Sequence, residues 1–155
     1  MNAEITILIA EDDDGHAALI ERNLRRGGME KPCQRLRDGQ ETLDFLLGSE
    51  KGQQVKGSYR YLLLLDINLP KVNGIDVLKR IKEHEVLKKV PVLMLSTTDD
   101  PKEVETCHAI GCNFYLTKPT EPETFNQMII RLGSFLDIVT VPIIRFGTPT
   151  NVSLN

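Results

Sequence analysis

Tryptophan is absent from the chain, aromatic residues make up only 5% of it, and there are three cysteines. An odd, small cysteine count excludes a closed disulfide framework and fits a reducing compartment. No apolar run approaches the roughly 18 residues of a membrane span, and Met1-Asn2-Ala3-Glu4 lacks the basic and apolar regions of a secretion signal. A cytoplasmic location without a membrane partner is expected. Nor is there an excess of positive charge: 19 Lys+Arg stand against 22 Asp+Glu, a net charge of −3. That removes the footprint of a nucleic-acid binder. The 11 glycines and 8 prolines follow no period, which excludes collagen-like and low-complexity classes. What remains is 155 residues, 41% hydrophobic and 26% charged. This is one ordinary domain, able to hide about two-thirds of its unfolded surface without a structural metal. Cys107-His108 and Cys112 fall on a predicted helix and its Gly111 end with no second ligand pair, so they read as packing residues. Cys33 stands alone.

Short apolar runs alternate with amphipathic ones. Ile5–Ala10 is β-branched and almost wholly apolar, the pattern of a strand buried on both faces. Residues 15–26 carry Ala18, Leu19 and Leu24 at helical spacing and stop at Gly27-Gly28. A weaker strand over 32–37 leads to Asp38 and Glu41, a capping-box spacing that opens a helix with Leu43, Leu46 and Leu47. Residues 53–58 read as a polar loop. The strongest apolar run, 61–65, ends abruptly at Asp66; Pro70 and Asn73-Gly74 turn the chain into a helix with Ile75, Leu78 and Ile81. A fourth strand over 91–95 precedes Asp100-Pro101, a cap with proline at the first helical position, and Glu103 in the first turn. A fifth strand over 113–116 precedes a helix boxed by Thr120 and Glu123, with Phe125, Met128, Ile129 and Leu132 facing inward. Five βα units of this kind predict a doubly wound α/β fold, a parallel sheet with helices on both faces. Right-handed crossovers then gather the residues after each strand along one edge, where such sheets bind ligands.

That edge is chemically lopsided. Glu11, Asp12, Asp13 and Asp14 follow the first strand, Asp66, Ile67 and Asn68 the third, Ser96, Thr97 and Thr98 the fourth, and Lys118-Pro119 the fifth. Converging carboxylates need a cation or protons to coexist. All-oxygen ligands with water filling the remaining positions suit Mg²⁺. A lysine and a small hydroxyl beside them are what a phosphoryl group requires, and Asp66 is then a carboxylate nucleophile. Each group alone has a plainer reading. Acids before a helix complement its dipole, which is the role assigned to Asp13 or Asp14, and the hydroxyls can simply precede the Asp100 cap. The conjunction at four strand ends carries the inference.

These segments, Ile7-Leu8-Ile9-Ala10-Glu11-Asp12, Leu65-Asp66-Ile67-Asn68-Leu69-Pro70 with Asn73-Gly74, Pro91 to Thr97, and Tyr115 to Pro119, resemble the receiver domain of two-component response regulators, the CheY-like family. The resemblance spans roughly residues 5–134. It implies a flavodoxin-like (βα)5 sheet of order 2-1-3-4-5. It also implies a phosphoacceptor that assists its own phosphorylation and dephosphorylation rather than an enzyme with a separate substrate. Asp66 would take phosphate from a histidine kinase. Asp12, Asp66 and the Asn68 carbonyl would hold Mg²⁺, with Glu11 acting through water. Ser96, Thr97, Lys118 and Asn68 would surround the phosphoryl oxygens, and Asn68 and Thr98 would tune its loss. Glu11 replaces the commoner Asp and Ser96 the commoner Thr. Phosphate on Asp66 would draw in Ser96 and leave space for Tyr115, the switch position, altering the face of the fourth helix, fifth strand and fifth helix.

The receiver pattern assigns residues 1–134 to the domain and 135–155 to an extension. No helix-turn-helix or catalytic domain follows, so a single-domain regulator is expected. Residues 136–146 are apolar and β-branched before a polar end with Gly147 and Pro149. Such a segment can extend the last helix, fold back on its own sheet, or pack on another protomer. Residues 134–142 resemble the extended receivers associated with bacterial and cyanobacterial phytochrome kinases. That implies a red-light-sensing bacteriophytochrome kinase as partner and a homodimer through the fifth helix and embracing C-terminal arms. Three other readings compete, besides a receiver serving only as a phosphate sink. A haloacid-dehalogenase-like phosphatase wants an acid where Asn68 stands. A flavin binder wants a Gly- and hydroxyl-rich cradle where four acids stand. A receiver-shaped interaction module does not need the full set Glu11, Asp12, Asp66, Ser96 and Lys118.

Overall fold

The computed structural model describes residues 4–48 and 57–146. Its elements run β1 (Ile5–Ala10), α1 (Asp14–Arg26), β2 (Cys33–Leu36), α2 (Gly39–Leu47), β3 (Gly57–Asp66), α3 (Gly74–Glu83), a short 3₁₀ turn (Leu87–Lys89), β4 (Val92–Ser96), α4 (Pro101–Ile110), β5 (Phe114–Thr117), α5 (Pro122–Ile138) and β6 (Ile144–Phe146). The first five strands form a parallel sheet ordered β2-β1-β3-β4-β5, with β6 antiparallel on β3. Helices cover both faces, so the fold is the doubly wound, flavodoxin-like arrangement expected.

Alternation along each strand divides the core in two. Leu8, Ala10, Leu63, Leu65 and Met94 meet Leu43 and Leu46 of α2, Val77, Leu78 and Ile81 of α3 and Cys107 of α4 on one face. Ile7, Ile9, Leu62, Leu64 and Leu95 meet Ile20 and Leu24 of α1 and Phe125, Ile129, Leu132 and Leu136 of α5 on the other. The continuous apolar stretch 61–65 of β3 is thus required, because neither of its faces sees water there. Cys107 and Cys112 are buried among these side chains, and burial pushes the Cys107 thiol up to about 11. They are packing residues, as their sequence context indicated.

Helices α1 and α5 meet backbone to backbone. A Cβ placed on Gly27 would lie 1.9 Å from Ile130 O, and one on Gly133 would lie 2.3 Å from Leu24 O. Ser134 Oγ donates to Gly27 O at 2.7 Å, and Lys31 Nζ donates to Asp137 O at 2.6 Å, which closes the seam.

Three local expectations are corrected. Residues 57 and 58 belong to β3 rather than to a loop, because β6 supplies them with an antiparallel partner; residues 53–56 lie outside the described residues. Helix α5 starts after Glu121, with Pro122 in its first turn and no side-chain cap, so Thr120 and Glu123 do not form a box. Strand β2 is shorter than 32–37. The segment after Gly133 takes two of its three available paths: α5 continues to Ile138, and the chain then buries Val141 and Ile144 and returns as β6. Phe146 there packs against Tyr59 and His84, ring centroids 6.4 and 6.2 Å away. Gly147 and Pro149 lie outside the described residues. On the opposite side of α5, Phe114 and Phe135 meet edge to face at 5.9 Å while remaining 51% and 42% exposed, and Ile138 is 80% exposed. No helix among the described residues is long and apolar enough to cross a membrane.

Candidate functional site

The carboxyl ends of β1, β3 and β5 converge on one cleft. Asp66 is the last residue of β3, Glu11 follows β1, and Lys118 follows β5; all three side chains are buried. Carboxylate oxygens of Glu11, Asp12 and Asp66 lie within 4.8 Å of one another. Lys118 Nζ reaches Asp66 Oδ2 at 2.9 Å and Glu11 Oε1 at 3.5 Å, giving two buried acids one cation. The Asn68 backbone N–H donates to Asp66 Oδ1 at 3.0 Å, so both oxygens of that carboxylate are oriented. Thr97 and Asn68, both exposed, line the same cleft with Asp12 and His16. One buried lysine cannot balance three acids. The arrangement is suited to a divalent cation whose ligands are all oxygens.

Supporting contacts fix this geometry. His16 Nδ1 bonds Glu11 Oε1, and the His16 ring stacks on Phe125 at 4.9 Å. Arg35, at the carboxyl end of β2, donates to Glu11 O at 2.9 Å and to Asp12 O at 3.0 Å, pinning the loop that carries both acids. It also pairs with Asp14, and this pairing holds the Asp14 carboxyl below its ordinary value. Asp13 caps α1 by accepting the His16 N–H at 2.8 Å. Both acids assigned to helix-end duty therefore have partners outside the carboxylate cluster. Glu11 is pushed above its ordinary 4.5, chiefly by burial and against the pull of the His16 bond.

Ser96 and Tyr115 face a different neighbour. Ser96, 1% exposed at the end of β4, has its Oγ 3.2 Å from Glu103 Oε2 and accepts the Thr98 N–H at 3.1 Å. The Tyr115 hydroxyl lies 2.7 Å from the same Glu103 oxygen and 2.8 Å from Thr98 O. Its ring is half-buried, and burial together with the Glu103 carboxylate pushes the phenol up to about 12. The structure thus brings Glu11, Asp12, Asp66 and Lys118 together and holds Ser96 and Tyr115 on Glu103.

His16, Arg35 and Glu103 were missing from the sequence-derived site. Arg35 could have been found, since it pairs in register with Ile9 two residues before Glu11. Glu103 read only as a first-turn acid. Nothing in its spacing from Ser96 or Tyr115 signals a shared partner.

A doubly wound α/β domain with a lysine-paired acidic cluster at the carboxyl edge of its sheet has the make-up of a phosphoryl-accepting receiver. Residues 7–130 match the model of the response regulator receiver domain, and the chain belongs to that family. It is similar to a response regulator receiver domain from Rhodospirillum rubrum, at 43% identity and a TM-score of 0.83 over 88% of this chain and 96% of that one. The response regulator Rcp1 of Synechocystis is 32% identical over 91% of this chain and 95% of its own length. A phosphorylated cyanobacterial phytochrome response regulator, RcpA, matches at 28% identity and a TM-score of 0.75, covering 91% of this chain and 99% of that one. Two further structural relatives are bacteriophytochrome response regulators, and another is a response regulator in red light signaling of R. palustris.

Proposed function

We propose that the chain is a response regulator receiver that accepts a phosphoryl group on Asp66 from a histidine kinase of the bacteriophytochrome type. One observation carries the reading: Lys118 bridges Asp66 and Glu11 inside an acidic cluster that its charge cannot neutralise alone. An Asp66 oxygen attacks phosphorus, the phosphohistidine N–P bond breaks, and its electron pair leaves with the imidazole. Lys118 is in place to follow the phosphoryl oxygens. The Asn68 N–H holds the acceptor carboxylate, and Ser96 and Thr97 stand at the end of β4 for the remaining oxygens. Glu11, Asp12, Asp66 and the Asn68 carbonyl are the residues assigned to Mg²⁺, which when bound supplies charge neutralisation for the transferring group. The test is phosphotransfer from a phosphorylated bacteriophytochrome kinase in Mg²⁺, compared with an unrelated kinase of the same catalytic class. Equal, slow labelling by both would remove the phytochrome assignment and leave the receiver.

Glu11 ties cation binding to pH. Its folded pKa is raised, so its stabilising contribution is present below the unfolded value of 4.5 and is lost as pH climbs through the folded one. A cation favours the charged form and offsets that loss. Mg²⁺ at a hundred times its dissociation constant is worth about 2.7 kcal/mol, or roughly 5–10 °C in Tm for a domain of this size. Calorimetry in magnesium and in chelator is expected to show a larger gain at about pH 7.5 than at about pH 5. Equal gains would remove Glu11 from the cation site.

The same reading includes a homodimer through α5 and the following arm, with residues 1–134 as the receiver and 135–155 as its extension. Exposed Phe114, Phe135 and Ile138 form an apolar surface beside β5, an edge strand of the sheet. Phe135→Glu with Ile138→Glu should convert a dimer into a folded monomer by light scattering. A dimer that survives both charges must use another face.

A further inference from the structure

The Ser96 hydroxyl has one proton to give, and in this structure it is directed at Glu103. Its Oγ lies 3.2 Å from Glu103 Oε2, and its acceptor side takes the Thr98 N–H at 3.1 Å. The Tyr115 hydroxyl lies 2.7 Å from that same carboxylate oxygen. Glu103 is therefore more than a helix-end acid. Asp100 already caps α4 by accepting the Lys102 N–H at 3.0 Å, and Glu103 is half-buried against Ser96 of β4 and Tyr115 of β5. A single oxygen collects the two hydroxyls on which a phosphorylation-dependent movement would depend.

We propose that Glu103 is a positioning residue of the switch: it holds the Ser96 hydroxyl in the unphosphorylated state and is released to Tyr115 alone when Ser96 turns to a phosphoryl oxygen. The inference rests on the phosphoacceptor reading of Asp66. Bound to Glu103, the Ser96 proton is unavailable to the phosphoryl group. A bond to a charged acceptor is about twice as strong as a neutral one, so the competition is appreciable. When Ser96 leaves, the Glu103 oxygen keeps the tyrosine hydroxyl, whose single proton it shares with Thr98 O at 2.8 Å, and its hold on that proton strengthens. Movement of a buried serine is thereby transmitted to an aromatic ring on β5 through a shared acceptor, in addition to the direct hydrogen bond between the two hydroxyls. Glu103 opposes phosphoryl binding through Ser96 and favours the tucked ring through Tyr115.

The two effects separate in a binding experiment on the full chain with beryllofluoride and Mg²⁺, a phosphoryl mimic. Glu103→Ala should tighten apparent beryllofluoride affinity about 5–10-fold, the scale of coupling between groups in one hydrogen-bond network. Glu103→Gln keeps the side chain's size and should tighten it about 2–3-fold, a second arm should the alanine variant fold poorly. In a Ser96→Ala background both substitutions should change affinity by less than about twofold, because the competing proton is gone. In protein carrying 3-fluorotyrosine at its three tyrosines, the ¹⁹F resonance lost in Tyr115→Phe should shift on beryllofluoride addition. That shift should shrink in Glu103→Ala. Unchanged affinity in both Glu103 variants would overturn the proposal, as would an equal change in the Ser96→Ala background. Failure of the wild-type chain to bind beryllofluoride, or retention of binding by Asp66→Asn, would overturn the phosphoacceptor reading itself, and both are read without any Glu103 variant.

Discussion

Asp66→Asn is expected to lower the rate of Mg²⁺-dependent phosphoryl acceptance more than about a thousandfold, the scale of losing a covalent nucleophile, from either a phosphorylated kinase or acetyl phosphate. The side chain keeps its shape, and the amide oxygen can still accept the Asn68 N–H that now meets Oδ1 at 3.0 Å. What disappears is the anionic oxygen that attacks phosphorus and the charge facing Lys118 at 2.9 Å. A neutral amide could become an acyl phosphate only by also breaking its C–N bond and expelling ammonia. The fold should survive, because Lys118 retains Glu11 at 3.5 Å and the cluster carries one fewer buried charge to compensate. Stability without cation should change by no more than about 1 kcal/mol, with a weaker Mg²⁺ response. Mass spectrometry of intact protein after acetyl phosphate treatment checks the first part and thermal denaturation the second. A phosphorylated Asp66→Asn chain would place the acceptor elsewhere.

The edge that holds this chemistry was readable because each strand announces its end with a change in residue type. Ile9-Ala10 gives way to Glu11, Leu65 to Asp66, and Thr117 to Lys118, and in a parallel sheet those ends must share one side. Periodicity was equally sufficient for α3 and the inward face of α5, whose apolar positions fill the two cores, but on α1 only Leu24 and half-buried Leu19 of the expected face turn inward; Ala18 is exposed, and Ala17 and Ile20 are buried instead. It failed where a partner distant in sequence decides the outcome. Residues 57 and 58 read as loop because their strand character depends on Arg145 and Phe146 opposite them. Glu103 escaped for a related reason: it acts by reaching side chains on β4 and β5, and spacing along the chain does not encode that reach. Thr120 and Glu123 mislead in the opposite sense. The spacing of a capping box is present, but Pro122 at the helix start places the cap one residue later.

Gly74→Ala is expected to damage both the fold and the phosphoryl site, whereas Gly27→Ala should damage the fold alone. A Cβ on Gly74 would stand 2.3 Å from Asp66 O and 2.7 Å from Ile67 Cα, and the Gly74 N–H donates to Ile67 O at 2.7 Å. The start of α3 thus rests on the backbone that carries the acceptor. These obstacles are main chain, which cannot rotate aside, so either the helix or the end of β3 must move. A loss of about 2–4 kcal/mol follows from such overpacking, or roughly 5–15 °C in Tm. Because Asp66 shifts with its carbonyl, beryllofluoride affinity should fall at least about tenfold; a 1 Å misplacement is enough to cost far more in a preorganised site. On the other side of the sheet, a Cβ on Gly27 would stand 1.9 Å from Ile130 O in the α1–α5 seam. The steric conflict is as severe, but the shift is absorbed by the end of α1 and the middle of α5, away from the backbone that carries Asp66. Gly27→Ala should therefore show a comparable loss in Tm with beryllofluoride affinity within about twofold of wild type, measured where both proteins are folded. Equal loss of affinity in the two variants would mean that the site follows global stability. Unequal loss would tie it to the close approach between the start of α3 and the end of β3.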